Sequence, residues 1–114
     1  MVISYFLLVN KKNLVNLGCC VDVAQTGEQA LEMAVANPYN IIFMDVGLPG
    51  ISGIETTVTI RRHHESLAKH TPIIGLTAYS DEQTQKECKA AGMDEVIIKP
   101  VEPKQLEELL IQFC

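Results

Sequence analysis

The sequence predicts a doubly wound α/β domain with a parallel sheet, and three observations carry that expectation. Short apolar runs alternate with longer amphipathic segments along the chain. Two of the runs, IIFM and PIIGL, are almost wholly apolar, as central parallel strands covered on both faces must be. Three of the longer segments open with a hydroxyl residue three places before Glu or Gln, the pattern of a capping box. Strands that alternate with helices close into such a sheet through right-handed crossovers.

Taken in order, the first apolar run is ISYFLLV, continuous enough for a central strand, and the second is CCVDVA. Thr26 with Gln29 then opens a helix that places Leu31, Ala34 and Val35 on one face, and Asn37 and Pro38 end it. IIFM follows and runs into Asp45 and the turn LPGISG. Ser52 with Glu55 opens the next helix, and PIIGL is the fourth strand. Ser80 with Gln83 opens a helix closed by Ala91 and Gly92, with Gly92 suited to a left-handed position. VIIK is the fifth strand. Pro103 fits the first turn of a last helix, where its missing N–H costs nothing, and Leu106, Leu109, Leu110 and Phe113 face the sheet.

Composition limits the function classes. A chain of 114 residues is expected to form a single domain over residues 1–114. With 47% hydrophobic residues it is globular, and a net charge of −5 argues against nucleic acid or anionic membrane as the main partner. No apolar run reaches the roughly 18 residues of a membrane helix. VISYFLLV lacks a basic leader and a cleavage site, so no signal peptide is expected. Cys19, Cys20, Cys88 and Cys114 have no metal spacing and fit reduced thiols in a cytoplasmic protein. His63, His64 and His70 are expected to be solvated. There is no P-loop, nucleophile elbow or zinc motif.

The chemistry collects at the strand ends. In open α/β sheets the functional crevice lies beyond the carboxyl ends of the strands. Asp45 follows IIFM, Thr77 and Ala78 follow PIIGL, and Lys99 follows VII. If the strands are parallel, a carboxylate, a hydroxyl and an ammonium converge on one rim. That trio suits phosphoryl transfer to a carboxylate, with the aspartate as nucleophile and the lysine neutralising phosphate charge. The same residues also suit a plain Asp–Lys ion pair that closes the rim.

VDVAQTGEQALEMA, IIFMDVGLPGISGIE, PIIGLTAY and AAGMDEVIIKPV, in this order, resemble the receiver domain of bacterial two-component response regulators. In wording they are similar to receivers attached to hybrid sensor histidine kinases, and the resemblance runs from about Leu17 to Phe113. It implies a five-stranded sheet in the flavodoxin-like order 2-1-3-4-5. It implies that Asp45 is the phosphoacceptor, Thr77 the switch hydroxyl, Lys99 the phosphate-pairing lysine and Ala78 a backbone N–H donor. It also implies a Mg²⁺ ion held by Asp45 and the Gly47 carbonyl, and a cis Lys99–Pro100 peptide. The implied partner is a histidine kinase or histidine phosphotransfer protein. Oligomeric state, cognate kinase and output stay open.

The sequence departs from the family at the amino end. The family has an acidic pair after its first strand, where FLLV is here followed by Asn10, Lys11 and Lys12. Asn10 is a weak metal ligand and Lys11 has the wrong sign, so Mg²⁺ binding is expected to be weakened. From Asn10 to Gly18 there is room for about two helical turns, so the first helix is shortened. A crossover needs roughly 10–12 residues. Either ISYFLLV is the first strand, or residues 1–17 are the first helix and the strand is lost. The strand is preferred, since a sheet without its central strand leaves buried backbone groups unpaired. Val96 stands where the family often has a switch aromatic, and Tyr79 is a rim residue. Two functional readings follow: a phosphoacceptor receiver, or a pseudo-receiver that binds partners without phosphorylation.

Overall fold

The computed structural model describes residues 2–5, 21–37, 39–47, 51–63, 66, 67, 69–78, 81–99 and 101–113, with backbone alone for 2–5 and 21. Five strands form one parallel sheet in the order β2-β1-β3-β4-β5. They are β1 (Val2–Tyr5), β2 (Val21–Val23), β3 (Ile41–Asp45), β4 (Ile73–Thr77) and β5 (Glu95–Ile98). Four helices are described: α1 (Gly27–Ala36), α2 (Gly53–Arg62), α3 (Glu82–Ala91) and α4 (Pro103–Phe113). The expected strand order is found.

The first strand, Val2–Tyr5, overlaps the expected ISYFLLV at residues 3–5 and pairs with β2 on one side and β3 on the other. FLLV, Asn10, Lys11 and the shortened first helix lie outside the described residues.

Each helix begins and ends for a local reason. Thr26 Oγ1 accepts from the Gln29 N–H at 3.1 Å, and Gln29 Oε1 reaches back to the Gln25 N–H at 2.8 Å. Ser52 Oγ accepts from the Glu55 N–H at 3.1 Å and starts α2. At α3 the expected cap moves by one residue. Asp81, not Ser80, caps the helix, its carboxylate taking the Thr84 N–H at 2.9 Å and the Thr84 hydroxyl. A carboxylate satisfies two donors at once and complements the positive end of the helix, so it outcompetes a hydroxyl beside it. Gly92, at φ 113°, closes α3 in the left-handed region as expected.

The sheet buries both faces. Ile42, Met44 and Ile73 pack with Ala30 and Ala34 of α1, Ile60 of α2 and Cys88 of α3. Ile41, Phe43, Ile74 and Leu76 point the other way, against Leu106 and Leu109 of α4, with Leu110 and Phe113 partly buried beside them. Every residue of β3 and β4 is buried, which explains why these two runs carry almost no polar residue before their last position. Each fully buried Ile or Leu contributes about 1.5–3 kcal/mol by removal from water.

Candidate functional site

The register of the sheet sets the site. Asp45 is the last residue of β3 and lies opposite Leu76, so Thr77 on β4 stands one step beyond it. Thr77 in turn lies opposite Ile98, and Lys99 stands one step beyond that. The ladders continue past the strands, with Val46 N–H donating to the Leu76 carbonyl at 2.9 Å and Lys99 N–H to the Thr77 carbonyl at 2.8 Å. Asp45, Thr77 and Lys99 therefore rise like steps along one rim.

Strand alternation selects which of them meet. Asp45 and Lys99 share the parity of Phe43, Leu76 and Ile97, which face α4. Lys99 Nζ donates to Asp45 Oδ2 at 2.6 Å across the end of β4. The other carboxylate oxygen, Oδ1, accepts from the Gly47 N–H at 2.9 Å, which tightens the turn after β3. The Asp45 side chain is 12% exposed, whereas the Lys99 side chain is 31% exposed. The carboxylate is thus fixed by two donors of different mobility, a rigid peptide N–H and a flexible ammonium partly open to water.

Thr77 is buried on the adjoining strand end. Ala78 follows it in an exposed bend. Val96, in place of an aromatic, is partly buried against the α1–α3 face of the core. His63 and His70 are exposed. Asn10, His64, Tyr79 and Pro100 lie outside the described residues. Among the described residues, no three His, Cys, Asp or Glu side chains are grouped to hold a metal. The described donors for Mg²⁺ are Asp45 and the Gly47 peptide, and Lys99 already occupies one Asp45 oxygen. That set falls short of a Mg²⁺ site on its own.

Sequence reasoning assigned Gly47 a carbonyl role and missed its N–H, which holds the carboxylate. It also missed Gly53, the first residue of α2. A Cβ there would collide with the Asp45 backbone carbonyl, so only glycine lets the helix start against the strand end. The available signal was its place directly after the capping Ser52.

A five-stranded parallel sheet in this order, with an Asp–Lys pair across its carboxyl rim, defines the class as a flavodoxin-like α/β domain. The profile of the response regulator receiver domain matches residues 6–111, and the chain belongs to that family. The osmosensing histidine protein kinase SLN1 of Saccharomyces cerevisiae is 32% identical over 94% of this chain and 9% of its own length. The autoinducer 2 sensor kinase/phosphatase LuxQ of Vibrio vulnificus is 40% identical over 82% of this chain and 10% of its own. The chain thus spans about a tenth of the length of these curated relatives. The relatives include a yeast protein and rice proteins, so the resemblance carries no restriction to bacteria.

Solved structures agree on the fold. The chemotaxis protein CheY4 of Vibrio cholerae superposes with a TM-score of 0.87 at 26% identity, covering 99% of this chain and 97% of that one. The receiver domain of a sensor histidine kinase from Pseudomonas aeruginosa gives 0.87 at 29% identity, covering 98% and 95%. That receiver has a magnesium ion coordinated in its active-site cleft. No helix among the described residues is long and apolar enough to cross a membrane.

Proposed function

We propose that this chain is a phosphoacceptor receiver, in which Asp45 takes a phosphoryl group from a phosphohistidine on a histidine kinase or histidine phosphotransfer protein. The observation that carries this reading is the Lys99–Asp45 contact of 2.6 Å at the carboxyl rim, with the Gly47 N–H on the second oxygen. A carboxylate oxygen of Asp45 attacks phosphorus and an O–P bond forms. The N–P bond of the phosphohistidine breaks, its electron pair returns to the imidazole, and the imidazole nitrogen takes up a proton. Lys99 keeps a partner throughout, because charge leaving the carboxylate reappears on the phosphoryl oxygens within reach of its flexible stem. Thr77 and the Ala78 N–H are assigned to the remaining phosphoryl oxygens. Domain extent 1–114 and a cytoplasmic setting belong to the same reading.

Mg²⁺ binding is expected to be much weaker than in a receiver that keeps its acidic pair, since Asn10 and Lys11 stand there. Tight saturable binding by calorimetry at neutral pH would overturn this. The phosphoacceptor reading itself is tested by intact mass after incubation with acetyl phosphate and excess Mg²⁺. One base-labile phosphoryl group is expected. A second reading, a pseudo-receiver that binds partners unphosphorylated, is favoured by Asn10 and Lys11 at the positions of the family's acidic pair. A folded chain that acquires no phosphoryl group would establish that alternative over the first.

A further inference from the structure

We propose that Glu28, in the first turn of α1, is a positioning residue for Asp45. This rests on the phosphoacceptor reading and adds a residue to it. Glu28 Oε1 accepts from the Ile51 N–H at 2.8 Å, across 23 residues of sequence. The neighbouring Gly27 packs against the Ile51 carbonyl and side chain so closely that a Cβ would collide with both. Residues 27 and 28 thus cover both polar groups of Ile51.

The path from Ile51 to the carboxylate is short. Ser52 follows and caps α2. Gly53 follows that and lies against the Asp45 carbonyl, with its N–H donating to the Val46 carbonyl at 3.3 Å. The connection between β3 and α2 is therefore pinned at both ends, to Asp45 Oδ1 through Gly47 and to α1 through Ile51. A loose Ile51 end would let Ser52 and Gly53 shift, and the strand end with them. Reaction rates respond steeply to such shifts in the aim of a nucleophile.

Two simpler roles for Glu28 make different predictions. It is not the capping-box residue, because Gln29 fills that place. A carboxylate in the first turn also complements the helix dipole. Glu28→Gln separates the roles, since it removes the charge and keeps the acceptor, whereas Glu28→Ala removes both.

The test measures phosphoryl uptake from acetyl phosphate with Mg²⁺ by intact mass, and hydrogen exchange at the Ile51 amide. In Glu28→Ala, uptake should slow by about three- to tenfold, with Ile51 exchange faster by roughly tenfold. Glu28→Gln should match the wild type in both, and the thermal midpoint should barely move in either variant. A labelled wild type with equally fast labelling of Glu28→Ala overturns the positioning role alone. So does Glu28→Gln behaving as Glu28→Ala, which would assign the effect to charge. A wild type that takes up no phosphoryl group overturns the proposed function and the positioning role with it.

Discussion

At the amino end of the sheet, Arg61 holds Asp94 at 3.0 Å; at the carboxyl end, Lys99 holds Asp45 at 2.6 Å. Both are cation–carboxylate pairs between distant parts of the chain, yet their surroundings differ in kind. Arg61 also donates to the carbonyls of Gly92 at 3.0 Å, Lys69 at 2.9 Å and Thr71 at 2.7 Å. Asp94 Oδ2 takes the Ile73 N–H as well, at 2.8 Å. The network runs on, from Thr71 Oγ1 to the Tyr39 carbonyl at 3.0 Å and from the Tyr39 hydroxyl to Asp22 at 2.8 Å. A planar guanidinium with five donors binds two loops in one geometry, the connection before β4 and the connection before β5. Lys99, a point charge on a flexible stem, can follow a moving negative charge. One end of the sheet is bolted, and the other is free to exchange partners.

The largest effect that would test this contrast is on chemistry. Asp45→Asn should abolish the base-labile phosphoryl adduct, since the amide keeps the size and loses the nucleophile. It should also lower the denaturation midpoint, because Lys99 loses its carboxylate. With the Lys99 side chain about a third open to water, the cost should be about 1–2 kcal/mol, below that of a fully buried pair. A midpoint that rises would mean that carboxylates, not lysines, dominate the rim.

Arg61 should show the reverse profile. Arg61→Ala strips donors from three carbonyls and a carboxylate and should cost about 2–4 kcal/mol in chemical denaturation. Arg61→Lys should recover less than half of that, since an ammonium cannot reproduce the fork. Phosphoryl uptake per folded molecule should be unchanged in both. A large loss of uptake would show that the two ends are coupled.

The smallest effect concerns Tyr39. Burial, then the hydrogen bond and charge of Asp22, push its phenol well above the ordinary 10.0. The folded state holds this proton more tightly than the unfolded chain. Its contribution is therefore complete below pH 10 and is lost as pH rises from the unfolded value toward the folded one. Tyr39→Phe should cost about 1 kcal/mol near neutrality and make stability flatter above pH 10. An unchanged alkaline limb would remove Asp22 and Tyr39 from the bolted end.

The two ends were also unequally legible in the sequence. Asp45, Thr77 and Lys99 could be found because a polar residue ending a buried run breaks a strong pattern, and parallel order brings such breaks together. Nothing in RRHH says which arginine turns inward, and Asp94 is one acid among many until β5 is placed beside β4. Asp81 and Ser80 are adjacent residues that both fit a cap, so the choice needed the geometry of Thr84. The Glu28–Ile51 link joins an exposed helix start to a turn, with no periodicity to announce it. Strand order was legible through the family resemblance, not from periodicity.

Gly53 decides which way the rim can yield. With no room for even a methyl group against the Asp45 carbonyl, the start of α2 is butted against the end of β3 as a fixed jaw. Under the phosphoacceptor reading, a larger and more strongly charged group on Asp45 would leave the backbone on that side in place. Any displacement would then fall to the opposite jaw, the ends of β4 and β5, where Ala78 is exposed and the Lys99 side chain is 31% exposed. If Asp45 is phosphorylated as proposed, a partner that reads its charge through shape should grip the molecule there and not on α2.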